Sequence, residues 1–153
     1  MLETGDMAPD FELLSDSGET VRLSDYRGKR VVLFFYPKAA TSGCTRQACG
    51  FKDNYSTFEE NNALVFGLSP DMPDALKKWR DEMDFPYALL SDPEHEVAEA
   101  YGVWGEKTNY GRTYMGIIRS HFVVNAEGHL EDVQHNVSPE KSVEEALRQV
   151  DAA

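Results

Sequence analysis

The sequence predicts an α/β fold: a central mixed β-sheet flanked by helices, with an N-terminal β-hairpin. Three observations point to it. Residues 30–36, Arg-Val-Val-Leu-Phe-Phe-Tyr, form an apolar run of strand length, as expected of a central strand covered on both faces. Downstream, strand-like runs alternate with amphipathic helical patterns, which puts helices on both faces of a sheet. Finally, turn signals join pairs of short runs near both ends, and the closing pair makes the sheet mixed.

Residues 11–14 and 21–23 flank Ser15-Asp-Ser-Gly18 and predict the first hairpin. After the strand at 30–36 and Pro37, a helix is expected over 42–59, with Thr41 or Ser42 as its N-cap. Cys44, Ala48, Phe51, Tyr55 and Phe58 step by four, three, four and three, so they share one face, while Cys49 falls with Lys52, Asp53 and Ser56 on the wetter side. A strand at 63–68 precedes a helix whose stripe of Met72, Leu76, Trp79 and Met83 reads as core. A short strand at 88–90 leads into a helix beginning at Ser91-Asp-Pro-Glu94 and carrying Val97, Ala98 and Tyr101. Strands at 117–124 and 130–134 flank the turn Asn125-Ala-Glu-Gly128, and Ser138-Pro139 opens a last helix with Val143, Ala146, Leu147 and Val150.

With 153 residues and no repeat or linker, one domain is the simplest organisation. Fifteen basic residues against 27 acidic give a net charge of −12, a balance that disfavours nucleic acid and anionic membrane surfaces. The acidic residues are dispersed and form no tail. The N-terminal stretch has neither a basic segment nor an apolar core of signal-peptide type, so the expected location is cytoplasmic. A reducing compartment seldom supports structural disulfides, so a local cysteine pair there points to redox chemistry or metal binding.

The chain has two cysteines, Cys44 and Cys49, at the expected start of the 42–59 helix. The peptide dipoles at a helix N-terminus stabilise a thiolate, which is the nucleophilic form of sulfur. An ordinary thiol with a pKa near ~8.5 is only about 3% ionised at pH 7, so such placement matters. Thr41 can bring a hydroxyl to the sulfur and to a bound oxygen substrate, Pro37 stiffens and shields the loop, and Gly43 lets backbone approach a ligand. On an ideal helix, residues five apart have Cα atoms ~8.7 Å apart, beyond the about 7 Å that a disulfide spans. Pairing of Cys44 with Cys49 therefore requires the first helical turns to unwind.

Pro37-x-x-x-Thr41-x-x-Cys44 resembles the active-site motif of the peroxiredoxins. The longer string Tyr36-Pro-Lys-Ala-x-Thr-x-Gly-Cys-Thr-x-Gln-Ala-Cys49 is similar to the bacterioferritin comigratory protein (peroxiredoxin Q) branch. The likeness extends to Gly5-Asp-x-Ala-Pro-Asp-Phe11, Leu90-Ser-Asp92 and Tyr110-Gly-x-Thr-Tyr-Met-Gly116, with Arg119 following. Ser42 departs from the proline often found in this branch. The resemblance implies a thioredoxin-like fold and thiol-dependent reduction of hydroperoxides without a cofactor. It makes Cys44 the peroxidatic and Cys49 the resolving cysteine, joined as an intramolecular disulfide that thioredoxin or a similar dithiol reduces. It assigns Thr41 and Arg119 to the peroxide oxygens and Pro37 to the pocket wall. Because both cysteines lie on one expected helix, no partner subunit is needed and a monomer is expected.

Other readings stand beside this one. The cysteines could be inert buried thiols, or could join His95, His121, His129 or His135 around zinc, although no second C-x₂₋₄-C-type pair is present. A thioredoxin-like disulfide oxidoreductase normally carries Cys-x-x-Cys, whereas the spacing here is Cys-x₄-Cys. A non-catalytic redox sensor would form the disulfide without turning over peroxide. The histidines are expected at the surface, with His121 partly buried because it alternates with Arg119 and Val123. Trp104 reads equally as a lid or a core anchor.

Overall fold

The apolar run at 30–36 becomes the middle of a seven-stranded sheet. In the computed structural model, which describes residues 2–151, the order is β1 (Glu12–Ser15), β2 (Thr20–Arg22), β3 (Arg30–Phe35), α1 (Ser42–Asp53), α2 (Tyr55–Glu60), β4 (Ala63–Ser69), α3 (Pro73–Met83), β5 (Leu89–Ser91), α4 (Glu96–Ala100), β6 (Trp104–Asn109), β7 (Arg112–Ile117), β8 (Ser120–Val124), β9 (Leu130–Gln134) and α5 (Pro139–Asp151). The strands lie in the order β2-β1-β5-β4-β3-β8-β9, and β6–β7 form a separate two-stranded ribbon. The β3–β4 and β4–β5 pairs are parallel, while β3–β8, β8–β9 and β1–β5 are antiparallel, so the sheet is mixed as expected.

Successive residues of β3 serve opposite faces. Val31, Leu33 and Phe35 enter one core with Tyr101 and Phe122, while Val32 and Phe34 enter the other with Cys44, Phe51, Leu76 and Trp79. This two-sided burial explains why the strand is apolar without alternation. The β3–β8 register sets Phe35 opposite Ser120. The residue just before β8 therefore stands at the edge where β3 ends and the loop into α1 begins.

Several elements differ from expectation. The helix over 42–59 is two helices, broken at Asn54, whose Nδ2 donates to the Gly50 carbonyl (2.9 Å) and competes with the main chain. Met72 precedes α3 and is 56% exposed, so the buried part of that stripe is Leu76 and Trp79, with Met83 partly covered. The helix after Ser91 starts later, at Glu96, because residues 92–95 form a turn in which the Asp92 carboxylate accepts from the Val97 and Ala98 amides. The strand over 117–124 is also divided: Ile117 ends β7, Ser120 begins β8, and Arg119 lies between them. The β6–β7 ribbon itself escaped the sequence reading. Its two-residue turn places Tyr110 at φ 52°, where an aromatic side chain is not the usual signal.

Glycine at position 50 has a packing role. A Cβ there would lie 2.6 Å from Val143 Cγ2, so its absence lets α5 close onto α1. Among the described residues no helix is long and apolar enough to cross a membrane.

Candidate active site

The loop from β3 to α1 is held before any substrate arrives. The Ala39 amide donates to Asp71 Oδ2 (2.8 Å), which also accepts from Ser69 Oγ (2.8 Å). Ala40 sits at φ 66°, a conformation that costs a non-glycine residue about 1–2 kcal/mol and is kept only where its surroundings demand it. Thr41 is the N-cap of α1 by backbone, but its hydroxyl makes no cap bond; Oγ1 donates instead to the Lys38 carbonyl (2.9 Å). The expected capping hydroxyl is thus turned back into the loop.

Cys44 lies in the first turns of α1 and is 1% exposed, with its face turned to the core as its spacing predicts. Arg119 reaches it from the β7–β8 junction. Its Nη2 donates to Cys44 Sγ at 3.4 Å and its Nη1 to Gln47 Oε1 at 2.6 Å. The guanidinium and the helix N-terminus thus both set positive charge beside this sulfur. Gly43 leaves room for this approach, since a Cβ there would stand 3.1 Å from Arg119 Nη2. Arg119 is therefore neither a solvated strand residue nor an ion-paired one; it is bonded to the thiol itself.

Above the guanidinium opens a cleft of about 430 Å³ bounded by Pro37, Glu106, Lys107, Ile118, Arg119 and His135. Pro37 and Arg119 thus line the same cleft. Lys107 donates to the Ile117 carbonyl (2.8 Å); burial lowers its pKa and the Arg119 cation lowers it further, with Cys44 opposing both. A larger hollow at the ribbon tip, lined by Tyr110, Arg112, Thr113 and Tyr114, holds no thiol and is separate from this chemistry.

Both cysteines are free thiols. Cys49 lies on the wetter side, as its helical position suggested, though it is half-buried against the core cluster that includes Cys44. Burial pushes its thiol pKa up, and Asp53 adds to the effect while Lys52 opposes it. Between the two cysteines, Ala48 offers its carbonyl to the Tyr87 hydroxyl (2.6 Å), a buried tie on the helix.

The histidines are dispersed. His95 stacks on Trp104 with centroids 3.9 Å apart, which makes Trp104 an anchor of the ribbon; His129 meets the Gly5 carbonyl and His135 that of Gly102. His121 is wholly buried, more than its alternation implied. Gln47, three residues after Cys44 on the same helical face, is the contact residue the sequence reading passed over, and that spacing was its available signal.

A helix-borne thiol with an arginine on its sulfur, carried at the end of a central strand of a thioredoxin-like sheet, defines the thiol peroxidase class. The AhpC/TSA family profile matches residues 4–133. The chain is 47% identical over 147 residues to peroxiredoxin Bcp of Bacillus subtilis, covering 96% of this chain and 94% of the relative. It is 46% identical to peroxiredoxin Bcp of Escherichia coli, covering 86% and 85%. Among solved structures, it is similar to peroxidoxin BcpB of Mycobacterium tuberculosis (TM-score 0.88, 36% identity, 99% and 98% covered). It also resembles the bacterioferritin comigratory protein of Xanthomonas campestris, which has alkyl peroxide reduction activity (TM-score 0.88, 27% identity, 93% and 90% covered). The chain belongs to the AhpC/TSA family, in the bacterioferritin comigratory protein branch of the peroxiredoxins.

Proposed function

We propose that the chain reduces hydrogen peroxide and organic hydroperoxides, with Cys44 as the nucleophile. The Arg119 guanidinium on Cys44 Sγ is the observation that carries this reading. The thiolate attacks one peroxide oxygen and the O–O bond breaks. The departing oxygen leaves as water or an alcohol after taking a proton, and the sulfur becomes a sulfenic acid. Charge grows on both oxygens as that bond lengthens, and Arg119 beside the sulfur stabilises it, with Thr41 adding a second donor once its hydroxyl leaves the Lys38 carbonyl. Pro37 walls the cleft against water.

Cys49 then attacks the sulfenic sulfur, water is released, and a Cys44–Cys49 disulfide forms. Because residues five apart on an intact α-helix stand about 8.7 Å apart between Cα atoms, more than a disulfide spans, the first turns of α1 unwind for this step. Thioredoxin or a similar dithiol takes up the oxidation by exchange. A monomeric, single-domain enzyme working in the cytoplasm completes the reading, since one helix carries both thiols.

The test is peroxide-dependent NADPH oxidation coupled through thioredoxin and its reductase. Cys44→Ser is expected to abolish turnover; retained activity removes Cys44 from the mechanism. Cys49→Ser is expected to form the sulfenic acid yet lose thioredoxin-linked turnover. Insulin reduction without peroxide consumption would favour a disulfide oxidoreductase instead.

A further inference from the structure

A line of buried polar side chains runs from the active-site arginine through the core to the far edge of the sheet. Arg119 Nη1 donates to Gln47 Oε1 (2.6 Å), and Gln47 Nε2 donates to Ser142 Oγ (3.0 Å). Ser142 Oγ meets His121 Nδ1 at 2.8 Å, and His121 Nε2 stands 3.4 Å from Asp132 Oδ2. Gln47, Ser142 and His121 are each 0% exposed. They come from three different places in the chain, α1, α5 and β8, and burying them costs free energy unless every link is made, the last of them to Asp132 in β9.

The hydrogens along this line have one consistent direction. The Asp132 carboxylate can only accept, so Nε2 of His121 carries a hydrogen. Ser142 Oγ accepts from Gln47, and among the described contacts the one acceptor for its own hydrogen is His121 Nδ1, which is then the bare nitrogen of the ring. With Ser142 so oriented, the Gln47 amide has its nitrogen toward Ser142 and its oxygen toward Arg119. A flipped amide would turn its oxygen toward Ser142, whose hydrogen is already given to His121, and its nitrogen toward the guanidinium. The oxygen fixes Nη1, and the planar guanidinium then aims Nη2 at Cys44 Sγ.

We propose that His121, held in its Nε2–H form by Asp132, is a positioning residue for peroxide reduction. Through Ser142 it fixes the amide orientation of Gln47 and hence the aim of Arg119 at Cys44. This inference rests on the reading of Arg119 given above.

The experiment measures the single-turnover rate constant for hydrogen peroxide in a Cys49→Ser background, with circular dichroism to confirm folding. Arg119→Ala is run alongside; if it is silent, the reading of the site itself fails. His121→Phe, which keeps the ring volume and removes both nitrogens, is expected to slow the reaction about five- to tenfold, as loss of one oriented hydrogen bond does. His121→Asn, whose Oδ1 takes the place of Nδ1 as acceptor for Ser142, is expected to restore the rate to within about twofold of the parent. Ser142→Ala should match His121→Phe, and the double variant should be no slower than the slower single, because each breaks the same line. The relay proposal alone is overturned if Arg119→Ala is slow but Ser142→Ala is not. It is equally overturned if His121→Asn is as slow as His121→Phe, or if the two single effects multiply. Should His121→Phe not fold, Ser142→Ala and His121→Asn decide the matter by the same criteria.

Discussion

At Asp132 two opposing effects meet on one carboxylate. Burial pushes its pKa up, but hydrogen bonds from His121 and Gln134 and a backbone bond at Val133 outweigh it, so the group stays below its ordinary value. A depressed carboxylate stabilises the folded state above the unfolded pKa of ~4 and loses that contribution as pH falls through the folded value. The stability difference between the parent and Asp132→Asn is therefore expected to hold steady above about pH 5 and to shrink toward pH 2. Urea unfolding across that range checks it, and a gap that does not narrow contradicts the assignment. Residues of this kind resist sequence reading. Among fifteen basic residues nothing local separates Arg119, and only its place after Tyr110-Gly-x-Thr-Tyr-Met-Gly116 singled it out.

α1 has two tasks that conflict. Intact, it offers its N-terminus to Cys44; for the disulfide it must open. Tyr87 bears on the second task, because its buried hydroxyl holds the Ala48 carbonyl between the two cysteines. Tyr87→Phe removes that bond, worth about 1 kcal/mol, while leaving the ring in place. Disulfide formation after a peroxide pulse is expected to become roughly fivefold faster, followed by stopped-flow and trapped for mass spectrometry. A variant that resolves no faster than the parent shows that the tie does not restrain the helix. The apolar face of α1 was legible from its steps of three and four. Its end at Asn54 was not, because a side chain bonding back to Gly50 competes with a helical pattern that continues through Phe58.

Across the whole molecule, the sheet separates two cores, and the site depends on the one that holds Cys44. Phe34 is its keystone: its ring stacks on Phe51 of α1 at 4.7 Å and meets Tyr87 at 5.7 Å. Phe34→Ala is expected to lower stability by about 3–5 kcal/mol, read from urea denaturation, with a loss of peroxide reactivity as α1 loosens. A loss below 1 kcal/mol would mean the two elements are held mainly by other contacts.

The chain by itself determined the alternation of strands and helices, the two-sided burial of 30–36, and the thiol at a helix start, because these rest on periodicity and on neighbours within a few residues. Tertiary structure alone decided which arginine meets the sulfur, that Gln47, Ser142, His121 and Asp132 form one line behind it, and that residues 104–117 fold into a ribbon. The line depends on strand register and on helices packing across the sheet, and its Arg119, Cys44, Gln47 and Ser142 contacts join residues 72 to 95 positions apart, which leave no periodic trace in a sequence; the ribbon is a local hairpin whose turn opens on Tyr110, which is not a usual signal.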